Sequence, residues 1–214
     1  MKKRLRHLGY LALLAGLFMT LGCAQVPLAT TNYEPQVDQP GLKSVVIGND
    51  TFAEYTLPDC RITSAIFEFN NVIAVSLEIR NLTGQDLGVK EYAVSLADGR
   101  DLKPVKMLTR QDLVATRAKM SGGTGGAIQD QLIQATVDTI MNTMNTPTKE
   151  KLIKIIDQGI AEYFDFRPVY ANDRRGGVLC FVPDFQLEYP LTLTVKIKGE
   201  PHIIKFLPQV KKDV

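Results

Sequence analysis

Few residues in this chain have types and spacings that could do chemistry, and the most telling is a cysteine. In Phe18-Met-Thr-Leu-Gly-Cys-Ala-Gln25 a lone thiol, Cys23, stands directly behind an apolar run. Cys60 and Cys180 make an even pair that an oxidising compartment would let bridge. Cys180 lies in the apolar run Val178-Leu-Cys-Phe-Val182, where a free thiol packs as a small hydrophobe. A disulfide between Cys60 and Cys180 and two buried thiols are therefore both open. Neither belongs to a Cys-x-x-Cys pair, which argues against redox work. His202 has no nucleophile motif beside it, and one histidine falls short of a metal site. Asp157, Glu162 and Asp165 could pair for acid–base work, but they alternate with an apolar stripe and read as a solvated helix face. The glycines at 122, 123, 125 and 126 are not followed by Gly-Lys-Ser/Thr, so they read as a hinge rather than a phosphate loop. Asp173-Arg174-Arg175 could grip a carboxylate or phosphate through planar donor forks, and a charged surface turn explains it equally well. No catalytic constellation emerges, and the expectation is a protein that is not an enzyme, with no metal and no cofactor.

The elements that position Cys23 come next. A basic zone with Lys2, Lys3, Arg4 and Arg6 precedes an apolar zone from Leu8 to Leu21, which is the order of an export signal. The apolar zone is shorter than the roughly 20 residues of a spanning helix, and polar, proline-bearing chain follows it. Thr20-Leu21-Gly22-Cys23 resembles the lipobox of bacterial lipoproteins, with Gly22 and Cys23 matching and Thr20 and Leu21 departing from the usual residues. The resemblance implies cleavage of residues 1–22, a diacylglycerol on the Cys23 thiol and an anchor of several acyl chains, which holds far better than one. Ordinary cleavage after Ala24 is the competing reading. By the same resemblance, Ala24 rather than aspartate after the cysteine implies a lipid-anchored protein of the bacterial cell envelope, at the outer membrane and facing the periplasm.

Removing residues 1–22 takes away two lysines and two arginines, so Lys+Arg falls from 25 to 21 against 23 Asp+Glu and the net charge becomes −2. That balance gives nothing to draw the protein onto nucleic acid. Residues 23–43, rich in Pro, Gln, Thr and Asn, read as the lipidated cysteine and a flexible linker. From Ser44 the pattern has period two: Val75, Leu77 and Ile79 share one face with Ser76, Glu78 and Arg80 on the other, and Leu191, Leu193, Val195 and Ile197 repeat it. Turn residues separate the runs at Asn70-Asn71, Asp98-Gly99 and Gly199-Glu200. Between strands that end near Leu108 and resume at Val178, a helical insert is expected at about 122–168. Ile128, Leu132, Ile133, Val137, Ile140, Met141 and Met144 form one stripe, and Leu152, Ile153, Ile156, Ile160 and Phe164 a second, with Thr146-Pro147 opening the second helix.

Ile79-Arg-Asn-Leu-Thr83, Leu96-Ala-Asp-Gly99, Gly177-Val-Leu-Cys-Phe-Val182 and Leu191-Thr-Leu-Thr-Val195, in that order, resemble the immunoglobulin-like domains of bacterial envelope lipoproteins. The resemblance covers about residues 44–120 and 176–208. It implies a mainly β fold, an antiparallel immunoglobulin-like β-sandwich over 44–208 with an inserted α-helical hairpin and a tail at 209–214. It carries over no functional residue. The expected function is a non-enzymatic binding or scaffolding module for an envelope protein partner. The alternative is a lipid or small-molecule carrier using a cavity between insert and sandwich.

Overall fold

The computed structural model describes residues 31–48, 50–122, 134–135, 138 and 146–209. Ten strands follow in chain order: β1 (Thr31–Pro35), β2 (Leu42–Ile47), β3 (Asp50–Thr56), β4 (Cys60–Phe69), β5 (Val72–Asn81), β6 (Tyr92–Asp98), β7 (Lys103–Met107), β8 (Arg174–Val182), β9 (Leu191–Ile197) and β10 (Glu200–Pro208). Helices α1 (Arg110–Met120) and α2 (Thr146–Ala161) lie between β7 and β8. Tight turns set the register of the hairpins. Asn70 and Asn71 both have positive φ (50° and 61°) and close the β4–β5 hairpin, while Lys198 (50°) and Gly199 (86°) close β9–β10. Two positive-φ residues match the twist of the flanking strands, which is why asparagine and glycine stand there.

The strands close into a barrel, and the sandwich expected from the sequence is corrected. Strand neighbours run β1-β10-β9-β6-β7-β8-β5-β4, and β4 pairs back onto β1, so eight antiparallel strands complete a ring. Two short strands make the closure by changing partner along their length. Tyr33, Glu34 and Pro35 of β1 pair with β10, whereas Thr31 and Asn32 pair with β4. Likewise Lys103, Pro104 and Val105 of β7 pair with β6, and Lys106 and Met107 pair with β8. Period-two alternation is common to sandwich and barrel, because each buries one face of every strand. The immunoglobulin-like reading failed for that reason.

Residues 31–35, taken from composition as linker, are the strand that shuts the ring, with Tyr33 only 2% exposed. The β2–β3 hairpin continues from β4 beyond the ring, and among the described residues β2 has a strand neighbour on one side only. Its outer positions Val46 and Ile47 are 72% and 56% exposed.

Two apolar cores result. The first fills the barrel with the inward residues of the strands, among them Ile62, Ile66, Val75, Leu77, Leu193, Val195 and Phe206. The second lies outside the barrel wall, where Phe69, Val72, Cys180 and Val182 meet Leu113 and Met120 of α1 and Leu152 and Ile156 of α2. Cys180, Phe181 and Val182 are consecutively buried because helices cover one side of β8 and the barrel fills the other. Helix α1 was not expected from apolar periodicity. Its start is written as a capping box: Asp112 N donates to Thr109 Oγ1 (3.2 Å) and Thr109 N donates to Asp112 Oδ2 (2.9 Å).

The expected boundary of the insert also moves. α2 ends at Ala161, and the chain after it rejoins the barrel: Phe164 is fully buried in the barrel core, and Val169 bridges Leu87. The stripe from Ile128 to Met144 lies wholly outside the described residues; within 128–144 only Gln134, Ala135 and Asp138 are described, and they are helical.

Candidate functional site: a groove between α2 and the barrel wall

Helix α2 is held against the barrel along one side. Gly159 sits so close to β8 that a Cβ there would lie 2.9 Å from Cys180 Sγ. Beyond the helix, Val178 N donates to Glu162 O (2.7 Å) and Phe164 N donates to Val178 O (3.0 Å), a short parallel bridge. This approach requires Gly177, whose Cβ would fall 2.6 Å from Phe164 Cα and 2.7 Å from Glu162 O. Arg117 of α1 grips Asp157 of α2 (2.6 Å) and holds the two helices together.

On its other side α2 leaves a groove of about 440 Å³ over the outer faces of β3, β4 and β5. Phe52, Phe67, Phe69, Val72, Ala74 and Val178 line it from the barrel wall. The helix contributes Lys151, Ile155 and Gln158 from one face, and Glu162, just past its end, continues the spacing of four, three and four residues. Asp50, Glu68 and Ser76 add polar atoms, Gln158 Nε2 donates to Glu162 Oε2 (3.3 Å), and Lys151 Nζ stands 4.6 Å from the centre of the Phe69 ring. An ammonium over an aromatic face keeps its charge while its stem covers apolar surface. The size and the apolar lining with a few polar groups are those of small-molecule sites.

The residues singled out from the sequence do not converge. Asp157 pairs with Arg117, Asp165 with Arg167 (2.5 Å), and Glu162 alone of the three carboxylates reaches the groove. His202 lies half-buried on β10, edge-on to Tyr55 with ring centres 5.7 Å apart. Among the described residues no group of three or more His, Cys, Asp or Glu could hold a metal ion. Arg174 pairs with Glu78 on the neighbouring strand (3.3 Å), as a charged surface pair does. Asn81 of the Asn-Leu-Thr run is buried, and its Nδ2 donates to the carbonyls of Gln85, Val169 and Tyr170, so it ties two loops together.

Cys60 and Cys180 are buried free thiols. Cys60 stands opposite Asn81 and Cys180 opposite Ala74, so seven residues of β5 separate their levels, roughly 24 Å at about 3.4 Å per residue. A disulfide needs Cα atoms about 4.4–6.8 Å apart, and the bridge left open by the sequence is not made. Burial pushes the Cys180 thiol up to about 12 and the Cys60 thiol, helped by the charge of Asp59, to about 11. Cys23 and the lipobox residues lie outside the described residues. The sequence reading missed Lys151, Ile155 and Phe67 as groove residues. Lys151 and Ile155 were legible as a helix face next to the buried stripe, but Phe67 reads as one more outward strand residue until α2 is placed over it.

No protein-family model matches the chain, and no curated protein does. Among solved structures it is similar to a conserved hypothetical protein from Bacillus anthracis, with 9% identity over 77% of this chain and 96% of that one and a TM-score of 0.35. A likeness of that size carries no argument about function.

Proposed function

We propose that this protein is a non-enzymatic carrier or binding module that holds an elongated apolar molecule with a polar end in the groove beside α2. The groove itself supports the reading. Three phenyl rings and four aliphatic side chains form its walls, and polar groups of both signs, Lys151 among Asp50, Glu68 and Glu162, stand along it. Burying an alkyl or aromatic chain there contributes roughly 25 cal/mol per Å² of apolar surface removed from water. The lipobox-like segment supports a tether at Cys23 that would present the module at the envelope, at the outer membrane and facing the periplasm.

The test is binding of the neutral fluorescent probe N-phenyl-1-naphthylamine to the full-length protein and to Ala74→Phe, which adds a ring on the outer face at the groove floor. The reading predicts saturable binding that weakens at least tenfold in the variant with an unchanged melting temperature. Equal binding by both proteins would overturn it.

A second reading, a scaffold that docks an envelope protein, is favoured by the open edge of β2. Because Thr56 N donates to Gly41 O, the alternate residues Ser44 and Val46 turn their backbone groups away from β3, where an extended partner strand could pair. Val46→Pro removes one donor from that edge. If the edge is the docking surface, crosslinking to envelope proteins in native membranes falls in that variant and persists in Ala74→Phe.

A further inference from the structure

We infer that the barrel mouth at Glu68 holds a second site, which takes an organic cation bearing N–H donors, a primary ammonium or a guanidinium. A cleft of about 560 Å³ opens there between the end of the β4–β5 hairpin and the loop after β8. Glu68, Asn71, Asp184, Phe185, Gln186 and Tyr189 are the lining residues that carry the argument, and among the described residues no lysine or arginine lines the cleft.

Glu68 is held in place from one side. The hydroxyls of Tyr33 and Tyr189 both donate to its Oε2, from Tyr189 at 3.3 Å, and the two rings pack with centres 5.8 Å apart. Oε1 accepts no hydrogen bond from the described residues. The carboxylate is thus oriented by two donors on Oε2, with Oε1 available. Charge-assisted hydrogen bonds to such an oxygen are about twice as strong as neutral ones. The loop wall is fixed as well. Asp98, 1% exposed, accepts from Glu188 N (2.7 Å) and Tyr189 N (3.0 Å), pinning the backbone that carries the Tyr189 ring.

Asp184 supplies a second negative charge, and the rings of Phe185 and Tyr189 supply faces that attract cations. One cation of the chain already uses such a face: Lys103 Nζ lies 5.4 Å from the centre of Phe185, held by Glu188 at 3.6 Å. A bound ammonium would meet two carboxylates and the Tyr189 ring, while the charge of Lys103 beside Phe185 is offset by Glu188. A carboxylate or phosphate ligand would meet repulsion.

The site stands independently of the proposed function, although Glu68 also reaches the groove. The experiment is an NMR titration of the ¹⁵N-labelled full-length protein with n-butylammonium, 1-butanol and butyrate at low salt. The expected result is saturable shifts of the Phe185, Leu187 and Tyr189 amides with n-butylammonium, at least tenfold weaker binding of 1-butanol, and none of butyrate. Glu68→Gln should weaken n-butylammonium at least tenfold. Asp184→Asn, at an exposed loop position where folding is not at stake, should weaken it severalfold. Equal affinity for n-butylammonium and 1-butanol, or full affinity in Asp184→Asn and in any folded Glu68→Gln, would overturn the inference.

Discussion

Replacing Phe164 by alanine tests whether the chain that follows α2 is part of the barrel or an appendage to it. The ring is fully buried, meets Tyr92 edge-on at 6.3 Å and Phe166 edge-on at 5.3 Å, and belongs to the core that fills the barrel. Truncating such a side chain costs the transfer energy of the lost atoms plus the cavity they leave, about 3–5 kcal/mol. Two edge-to-face aromatic contacts are lost with it, which places the expectation in the upper half of that range. With a urea dependence of about 2 kcal/mol per molar, the unfolding midpoint followed by circular dichroism should fall by roughly 2 M. Tyr170, six residues further on and 56% exposed, is the control: Tyr170→Ala should move the midpoint by less than about 0.3 M. A shift as small as the control's in Phe164→Ala would refute the placement of residues 163–169 in the barrel. It would also restore the expected boundary, in which the whole segment 122–168 is an insert outside the β core.

Three further outcomes follow from the same geometry. Cys60 and Cys180, held near 11 and 12 by burial, should not react with Ellman's reagent at pH 8 in the folded protein, and both should titrate as free thiols in denaturant; rapid reaction of either would contradict their burial. Gly177→Ala drives a Cβ into the backbone at Glu162 and Phe164, so it should destabilise by about 1–3 kcal/mol or more in the same urea assay, whereas Gly84→Ala, with open space around it, should cost little. Burial, then the hydrogen bonds and charge of Glu68, raise the Tyr33 pKa far above the ordinary 10.0. A proton bound more tightly by the folded state stabilises it fully below pH 10, and that contribution is lost as pH rises above 10 toward the raised value. Tyr33→Phe should therefore show a shallower loss of stability between pH 10 and 11.5 than the parent; parallel curves would count against the cause assigned to the shift.

The strands were readable where one face meets water and the other the barrel, as in β5 and β9, and their turns were readable because Asn70-Asn71 and Gly199 are residues that tolerate positive φ. Closure was not. It depends on β1 and β7 changing partners, and a strand of five residues such as Thr31-Asn-Tyr-Glu-Pro35 has too few apolar positions to stand out from polar chain. α1 was missed because its buried residues, among them Asp112 and Thr116, are not an apolar stripe, although the Thr109–Asp112 cap was there to be read. The stripe of α2 was legible at Leu152 and Ile156, but its continuation to Phe164 crosses the end of the helix into extended chain. The groove depends on which strand faces lie beneath α2, a tertiary fact that no local pattern encodes. The mouth cleft brings together Tyr33, Glu68 and Tyr189 from distant parts of the chain, and a lone glutamate near the end of a strand gives no warning of it.

The most direct test of the central claim is photocrosslinking of the full-length protein with an alkyl diazirine amphiphile, followed by mass-spectrometric mapping of the labelled residues. The account predicts saturable labelling concentrated on Phe67, Phe69, Val72 and Ile155, and its loss in Ala74→Phe. Labelling spread over the exposed β2 edge, or unchanged by the added ring, would contradict it.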